Sequence, residues 1–486
     1  MLLDEPLVFE RGAAGRIGWP VAHISESDTD AVIADLPPAL RRDDGLAGFP
    51  EISELEAVRH FVRLSQWNYS AATTLYPLGS CTMKYNPVVN EAVARLPGFA
   101  ALHPLVPDQL AQGALELIAA LEHALAAVSG LDAVSLQPAA GAQGELLGML
   151  LIRAYHTDRG DPRRRVLIPS SAHGTNPASA ALCGYDVTEV PVDARGLLPA
   201  RAVAAVMDES VAALMVTNPN TLGLFEEEIE AVAAAVHARG GLVYMDGANV
   251  NALMGVAKPA DMGIDVMQFN LHKTFSTPHG GGGPGAGPVA VRASIADYLP
   301  VPRLVRTAAG LGWTDDAPKA VGRMRSFYGN FGVLLRAYAY VARLGGPGLA
   351  EVTRLAVLNA NYVRARLCGT YHLPYATPSM HECVFSDRDL QDFGVSTLDV
   401  AKRLLDYGFY APTIYFPLVV KGALMIEPTE TETRETLDRF VEALTAIADE
   451  ARTDPSLVRN APQRTVLARL DETRAARRPI LRWHRR

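Results

Sequence analysis

Lys273 is the residue of this sequence best placed for covalent chemistry. It follows a short apolar run at 266–269 and precedes a glycine-rich run at 280–283. The amine of a lysine held at a binding site can form a Schiff base with a carbonyl compound. Because most lysines are solvated surface charges, this interpretation depends on what the neighbouring motifs add.

A carboxylate at the end of a predicted strand supports this chemistry. Residues 242–245 are apolar, and Asp246 and Gly247 follow them, which predicts a buried parallel strand with Asp246 at its carboxyl end. Ligands of open α/β sheets bind at that edge. An aspartate there can keep the pyridine nitrogen of pyridoxal phosphate protonated, so that the ring can accept electrons. We therefore interpret Lys273 as the anchor of pyridoxal phosphate; the alternative for Asp246 is a cap on the turn at Gly247.

A histidine is expected at the same edge of the sheet. The predicted strand 165–169 leads to His173. A flat imidazole at this place could stack on the pyridine ring or move a proton, whereas the simpler alternative is a structural histidine.

A small-residue turn at 137–145 precedes a helix that the sequence predicts from Leu146 to about Tyr155. Such a turn presents unpaired backbone N–H groups and the positive end of the helix dipole, and both favour a phosphate. The alternative is a tight strand-to-helix turn that binds nothing.

The segment 74–87 is predicted to be a loop, because it is rich in turn formers and hydroxyl groups and lacks an apolar period. It either contacts a substrate carboxylate or phosphate or is an ordered structural turn. Cys81 within it is either a redox-sensing thiol or a plain structural one. The candidate anion contacts are Lys84, Asn86, Arg303, Arg306, Arg323 and Arg325.

Composition limits the class of protein. The 486 residues are 49% hydrophobic and 20% charged, which predicts a large core and two or more domains. A net charge of -8, with a pI near 5.9, argues against nucleic acid or an anionic membrane as the main partner.

The sequence has no basic region followed by an apolar one at its amino terminus and no apolar stretch of roughly 18 residues, so we expect a soluble, cytoplasmic protein. The four cysteines form no CxxC pair, so we expect neither a metal site nor disulfides.

The elements that must position these residues alternate between strand and helix from about residue 131. This alternation predicts an α/β domain with a mainly parallel sheet. We place an N-terminal arm at 1–65, a large cofactor-binding domain at 66–325, a smaller C-terminal α+β domain at 326–455 and a tail at 456–486. The arm lacks a core of its own and is expected to cross a subunit interface. The region from about 292 to 320 is predicted to be irregular.

Together these motifs resemble a known family. The segments that carry the resemblance are 76–87 (YPLGSCTMKYNP), 171–178 (SAHGTNPA), 217–223 (TNPNTLG), 244–249 (YMDGAN) and 270–275 (NLHKTF). They are similar to the glycine cleavage system P-protein, in its second, carboxyl-terminal-half subunit. The resemblance covers nearly the whole chain.

The resemblance implies a type I fold of pyridoxal-phosphate-dependent transferases, with a large domain and a smaller C-terminal domain. It implies that Lys273 binds the cofactor covalently, that Asp246 pairs with the pyridine nitrogen and that His173 stacks on the ring, these three being the catalytic residues. The rest of the implied cofactor-binding set is Ala142, Gln143, Thr217, Ala248 and His272.

The resemblance also implies an activity and partners. The activity is oxidative decarboxylation of glycine, with release of CO2 and transfer of the aminomethyl group to the lipoyl arm of H-protein. The implied partners are glycine, lipoylated H-protein and a separate first subunit in a two-plus-two assembly. Two alternatives stay open: another enzyme of the same fold, such as an aminotransferase or amino-acid decarboxylase, and a non-catalytic half that binds no cofactor.

Overall fold

The structure, a computed structural model, describes residues 5–18, 31, 33–41, 48–279 and 285–483. The glycine-rich run 280–283, parts of the predicted arm and the last three residues of the tail lie outside these ranges. The chain divides into two compact units: Met1–Tyr69 with Pro462–Arg486, and Ser70–Ala461. No described helix is long and apolar enough to cross a membrane.

A seven-stranded sheet organises the larger unit, with the strand order β1-β7-β6-β5-β4-β2-β3. The strands are β1 (Ala133–Ser135), β2 (Arg165–Pro169), β3 (Asp186–Val190), β4 (Val211–Thr217), β5 (Leu242–Gly247), β6 (Val266–Phe269) and β7 (Val289–Val291). Only β7 pairs antiparallel with its neighbours, β1 and β6; the other pairings of this sheet are parallel. The predicted mainly parallel sheet is confirmed.

Most of the described α-helices belong to the larger unit, and α1 and α14 belong to the smaller one. The described α-helices are α1 (Glu54–Ser65), α2 (Val88–Ala94), α3 (Pro97–Ala100), α4 (Gln112–Ser129), α5 (Gly141–Asp158), α6 (Thr175–Leu182), α7 (Ala200–Val206), α8 (Ile229–His237), α9 (Ala293–Ala296), α10 (Phe331–Leu367), α11 (Thr397–Asp406), α12 (Arg434–Thr453), α13 (Pro455–Arg459) and α14 (Glu472–Arg477). Short 3-10 turns occur at Val8–Glu10, Pro38–Leu40, Asp108–Leu110, Val250–Ala252, Pro259–Met262 and Arg388–Phe393.

Both faces of the central strands are buried, as a parallel sheet covered by helices requires. Every residue of β4 and β5 is buried. Along β4, Leu214 and Val216 belong to one apolar cluster, whereas Ala213 and Met215 belong to another on the opposite face. The carboxyl ends of β4, β5 and β6 therefore emerge side by side from a rigid core.

Helix α10 contains a sharp break, which lies between the two helices that the sequence predicts at about 330–344 and about 350–367. Gly345 has φ 59° and ψ -179°, and Pro347 follows it. A positive φ favours glycine, and proline cannot continue the hydrogen-bond ladder of the preceding turn. The break thus follows directly from the local sequence.

A three-stranded antiparallel sheet forms a second centre within the larger unit. Its strands are β10 (Cys383–Ser386), β11 (Thr413–Ile414) and β12 (Ala423–Ile426), with β12 in the middle. Helices α11 and α12 share one apolar cluster with it, which includes Leu404, Phe440 and Leu424. This is an α+β arrangement, although the domain boundaries given above stay a prediction.

Two strand regions differ from the sequence-based expectation. The segment predicted as irregular contains a hairpin, β8 (Arg303–Thr307) and β9 (Gly310–Thr314), whose turn is held by Thr307 Oγ1 donating to the Gly310 carbonyl. The strand β3 was not predicted, because it lies at the edge of the large sheet and most of its residues are exposed.

The smaller unit has more structure than the expected arm. Helix α1 starts with a capping box, in which Ser53 and Glu56 each bond the backbone of the other. The buried carboxylate of Glu5 accepts hydrogen bonds from Arg63 at 2.6 and 3.0 Å, and Arg63 and His60 hold the pKa of Glu5 down to about 2. An ionised Glu5 thus ties the chain start to α1.

Candidate active site

A cavity of about 380 Å³ opens at the carboxyl ends of β4, β5 and β6. Seven of the eight predicted cofactor-binding residues line it: Lys273, Asp246, His173, Thr217, Ala248, Ala142 and His272. The eighth, Gln143, is used within the turn, since its Oε1 accepts from the Ala139 N–H at 2.6 Å and its Nε2 donates to the Met324 carbonyl at 3.4 Å.

Asp246 is held in a fixed orientation at the end of β5. Its Oδ1 accepts hydrogen bonds from the Ala248 N–H at 2.9 Å and from Gln268 Nε2 at 2.6 Å. Its Oδ2 makes no hydrogen bond within the described part of the chain. One oxygen is therefore available to a protonated nitrogen in the cavity, the group to which a carboxylate binds most strongly.

Lys273 lies in the turn that follows β6. The next residue, Thr274, connects this turn to the rest of the fold through a hydrogen bond from Lys84. Lys84 Nζ donates to the Thr274 carbonyl at 2.7 Å, to Tyr340 at 3.1 Å and to Glu430 Oε1 at 2.7 Å. Burial alone would lower the pKa of Lys84, but Glu430 and Tyr340 raise it overall. With its three N–H donors engaged, Lys84 does not reach a substrate, and its predicted role as a carboxylate contact is wrong.

The other predicted anion contacts also lie elsewhere. Asn86 bonds Ser276 at 3.4 Å, Arg303 binds two backbone carbonyls and Arg323 pairs with Asp315. Arg325 bonds Asn330, and none of the four candidate arginines lines the cavity. From the sequence these residues appeared available to bind an anion, because it does not show which groups they bond within the fold. The loop itself does contribute, through Gly79, Ser80 and Cys81 in the cavity wall.

The turn at the start of α5 presents backbone donors to the cavity. Ala140, Gly141 and Ala142 line it, and the N-cap residue Ala140 provides no side-chain hydrogen bond to the first turn. A Cβ on Gly141 would lie 2.2 Å from Asn270 Nδ2. This close approach explains the glycine, and the free N–H groups suit a phosphate.

Four buried polar atoms of wall residues lack partners among the described residues: Glu145 Oε2, Thr217 Oγ1, Asn249 Oδ1 and His272 Nδ1. Burial, aided by His279 and Lys273, lowers the pKa of His272 to about 3, so this ring is neutral. Buried polar groups without partners are unfavourable. A polar ligand would satisfy them, and the lysine amine, the aspartate and the backbone donors match the aldehyde, pyridine nitrogen and phosphate of pyridoxal phosphate.

Two acids that the sequence did not single out lie near Cys81. Glu382 Oε2 accepts from the Ser80 N–H at 2.7 Å and Glu427 Oε2 from the Thr82 N–H at 2.9 Å, and both side chains are fully buried. Burial and then Glu427 raise the pKa of Glu382 far above its ordinary value. With His381 they place three ligand atoms within 4.8 Å of one another, close enough to consider a metal ion.

Cys81 itself is a protonated thiol. Burial raises its pKa to about 11, although the charge of Lys273 acts in the opposite direction. Reactive cysteines need thiolate character. The structure therefore favours the structural alternative for Cys81 over redox sensing. Within the described chain all four cysteines are free.

Several wall residues were not predicted as site residues, among them Glu145, Asn270, Thr413 and Phe416. Glu145 follows directly on the phosphate-type turn, so its position was a usable signal. Thr413 and Phe416 come from the region of the small sheet, and no local pattern connects them with Lys273.

A lysine and an aspartate at the carboxyl edge of a mainly parallel seven-stranded sheet define the class: the fold is type I of the pyridoxal-phosphate-dependent enzymes. Solved structures share it. One is a glycine decarboxylase (P-protein) of the glycine cleavage system in inhibitor-bound form, with a TM-score of 0.73, 22% identity and coverage of 88% of this chain and 100% of that one. Another is an aspartate aminotransferase from Thermus thermophilus, with a TM-score of 0.59, 16% identity and coverage of 77% and 99%.

The chain belongs to the glycine cleavage system P-protein family. The model of that family matches residues 21–312, and a model described as glycine dehydrogenase, C-terminal domain, matches residues 352–464. A probable glycine dehydrogenase (decarboxylating) subunit 2 of Exiguobacterium sibiricum is 53% identical, over 99% of this chain and 97% of the relative. A protein of the same description from Chlorobium chlorochromatii is 53% identical over 98% of each chain.

Proposed function

We propose that this chain binds pyridoxal phosphate in the cavity and decarboxylates glycine, as subunit 2 of a glycine dehydrogenase in the glycine cleavage system. The observation that carries the proposal is that Lys273 and Asp246 face one cavity, with Asp246 Oδ2 free of hydrogen bonds among the described residues. Family membership and the descriptions of the relatives support glycine as the substrate.

Three side chains of the cavity wall and one backbone turn have distinct roles in this proposal. Lys273 would hold the cofactor through its amine, Asp246 would keep a proton on the pyridine nitrogen, and His173 would contact the ring. The N–H groups at the start of α5 bind the phosphate. When bound, pyridoxal phosphate supplies the electron sink for the pair of electrons that departing CO2 leaves behind.

The proposal includes two protein partners. The aminomethyl group passes to the lipoyl arm of H-protein: a carbon–sulfur bond forms, the disulfide breaks, and the second sulfur takes up a proton. The lipoyl group is thereby reduced while the glycine carbon is oxidised. The relatives' description as subunit 2 supports a separate first subunit, for which we propose a two-plus-two assembly. Unpaired cysteines agree with a cytoplasmic location.

Helix α1 supports the proposed role of the N-terminal arm at a subunit interface. Leu55, Val58, Phe61 and Val62 are each at least half exposed, and their spacing places them along one face of the helix. Deleting residues 1–64 is expected to lower solubility or change the assembly with the first subunit, as measured by light scattering. A truncated chain that stays soluble and assembles as before would exclude this role.

Glycine-dependent exchange of labelled CO2 tests the activity. The chain is measured alone, with the first subunit, and then with lipoylated H-protein, each beside Lys273→Ala and the matched control Lys421→Ala, which replaces an exposed lysine. Full activity that needs both partners and is lost only in Lys273→Ala supports the proposal. Turnover of other amino acids without partners would instead establish a different enzyme of this fold.

A further inference from the structure

A chain of three side chains connects a buried acid to the histidine of the cavity. Thr175 Oγ1 lies 2.9 Å from Glu145 Oε1 and 2.9 Å from His173 Nδ1. The Thr175 backbone N–H also points to His173 Nδ1, at 3.2 Å. Glu145 is only 4% exposed and lines the same cavity as Lys273.

The backbone hydrogen bond determines where His173 carries its proton. A backbone N–H can only donate, so Nδ1 accepts and the ring proton of the neutral histidine is on Nε2. Partial desolvation on the cavity side lowers the pKa of His173, although the residue as a whole is exposed, and this favours the neutral form. The histidine then presents a donor at Nε2, and Nε2 makes no hydrogen bond within the described residues.

The two side-chain contacts then determine the form of Glu145. An ionised Glu145 only accepts hydrogen bonds, so it would take the Thr175 hydroxyl proton and leave Oγ1 and Nδ1 facing each other at 2.9 Å with no proton between them. A protonated Glu145 donates to Oγ1, and the hydroxyl donates to Nδ1. The protonated form places a hydrogen in each side-chain contact while Nδ1 stays unprotonated and shares its single lone pair between the Thr175 hydroxyl and the Thr175 backbone N–H.

The charges around Glu145 agree with this assignment. Burial and then the charge of Asp246 raise the pKa of Glu145 to about 8, while Thr175, Lys273 and the Ser179 hydroxyl act in the opposite direction. The remaining titratable neighbour is Tyr244, a fully buried phenol that burial keeps neutral. Glu145 Oε2 is buried without a partner, which costs less for a neutral acid than for a carboxylate.

We propose that Glu145, as a carboxylic acid, is a positioning residue that acts through Thr175 to hold His173 neutral with its proton on Nε2. The imidazole thereby presents an N–H donor to the anionic groups bound in the cavity. Ionisation of Glu145 draws the Thr175 hydroxyl away from Nδ1 and releases this constraint. The inference rests on the proposed function for the identity of the bound groups.

Infrared difference spectra and histidine nitrogen NMR test the inference without turnover. The full-length chain with pyridoxal phosphate is compared with Glu145→Gln, whose amide still donates to Thr175 but cannot ionise. The expected difference spectrum has a carboxylic-acid C=O band at neutral pH that disappears as the pH rises through about 8. Nitrogen-labelled histidine is expected to report the Nε2–H form of His173 in both proteins, with the signal assigned from His173→Asn.

Matched pairs at Glu145 and Thr175 separate hydrogen bonding from packing. Thr175→Val and Glu145→Met are expected to lower kcat for glycine exchange about tenfold relative to Thr175→Ser and Glu145→Gln, the effect of one lost hydrogen bond. In the wild type, kcat is expected to decrease as the pH rises through about 8, where Glu145 ionises, and Glu145→Gln is expected to remove this alkaline decrease. An unchanged alkaline decrease in Glu145→Gln, or no acid band at neutral pH, would overturn the inference. A band and a tautomer as expected, in a protein inactive on glycine, would instead count against the proposed function alone.

Discussion

Asp246 and Gln268 are register partners on β5 and β6, and the Gln268 amide donates to Asp246 Oδ1 at 2.6 Å. The pair joins neighbouring strands at the floor of the cavity. Gln268 is buried and its amide also donates to Asn270 Oδ1 at 3.2 Å. Because an amide does not ionise, Gln268 orients the Asp246 carboxylate without adding a charge beside it. The geometry therefore predicts that a change at Asp246 affects glycine decarboxylation more than it affects cofactor binding.

Replacing Asp246 with Asn is expected to leave pyridoxal phosphate bound but to lower glycine-dependent CO2 exchange about a hundredfold, since the amide cannot keep the ring nitrogen protonated. Cofactor absorbance measures binding, and labelled CO2 measures exchange. Gln268→Glu serves as the comparison, because it alters the same contact from the other side. Full exchange activity in Asp246→Asn would refute the assigned role.

Gly141→Ala is expected to weaken cofactor binding at least about tenfold, because the added Cβ would lie 2.2 Å from Asn270 Nδ2 and must displace the turn that donates N–H groups. The matched control is Gly113→Ala in helix α4, where a Cβ meets nothing within 4 Å. That control should stabilise the protein by about 0.5–1 kcal/mol. Equal cofactor affinity in both variants, measured by fluorescence titration, would argue against a phosphate site at this turn.

Lys84→Met is expected to lower the free energy of unfolding by about 3 kcal/mol, because it leaves the buried Glu430 without its partner. The double variant Lys84→Met/Glu430→Gln removes both charges and should recover at least about half of that loss. Urea denaturation measures both. A Lys84 that contacts substrate would give the opposite pattern, with stability unchanged and a raised KM for glycine.

The buried pair of Glu382 and Glu427 predicts a pH-dependent stability. Burial raises the pKa of both carboxyls, so folding takes up protons, and the stabilisation from protonation is complete below the unfolded-state pKa of about 4.3. It decreases as the pH rises through the folded-state values, with a slope of at most about 1.4 kcal/mol per pH unit for one proton.

Glu382→Gln is therefore expected to flatten the decrease of unfolding free energy at neutral to alkaline pH, as measured by urea denaturation at a series of pH values. The exposed Glu116→Gln is the control and should leave the slope as it is. An identical slope in Glu382→Gln and the wild type would show that this carboxyl does not take up a proton on folding.

The central strands could be predicted because their apolar runs are continuous. The predicted strand 165–169 has the same bounds in the structure, since a strand buried on both faces leaves little ambiguity. Strand β3 exposes most of its residues, so its sequence carries no such signal.

Side-chain partners distant along the chain were the part that could not be predicted. Lys84 in a polar loop looks solvated, yet Glu430, 346 positions away, buries and neutralises it. Gln268 within an apolar run gave no sign that it bonds Asp246. The motifs located the cavity, whereas the pairing of charges inside it depends on tertiary packing.

The Lys84 ammonium connects Thr274, the residue after Lys273, to Glu430 in the segment that follows β12. Moving Glu430 away must therefore either break a buried ion pair or pull the Lys273 turn with it. Opening of that segment and loosening of the lysine are thus thermodynamically coupled, because opening the segment alone leaves a buried charge without its partner. Amides of the two segments should exchange with solvent deuterium at a common opening free energy, although some 150 residues of sequence separate them.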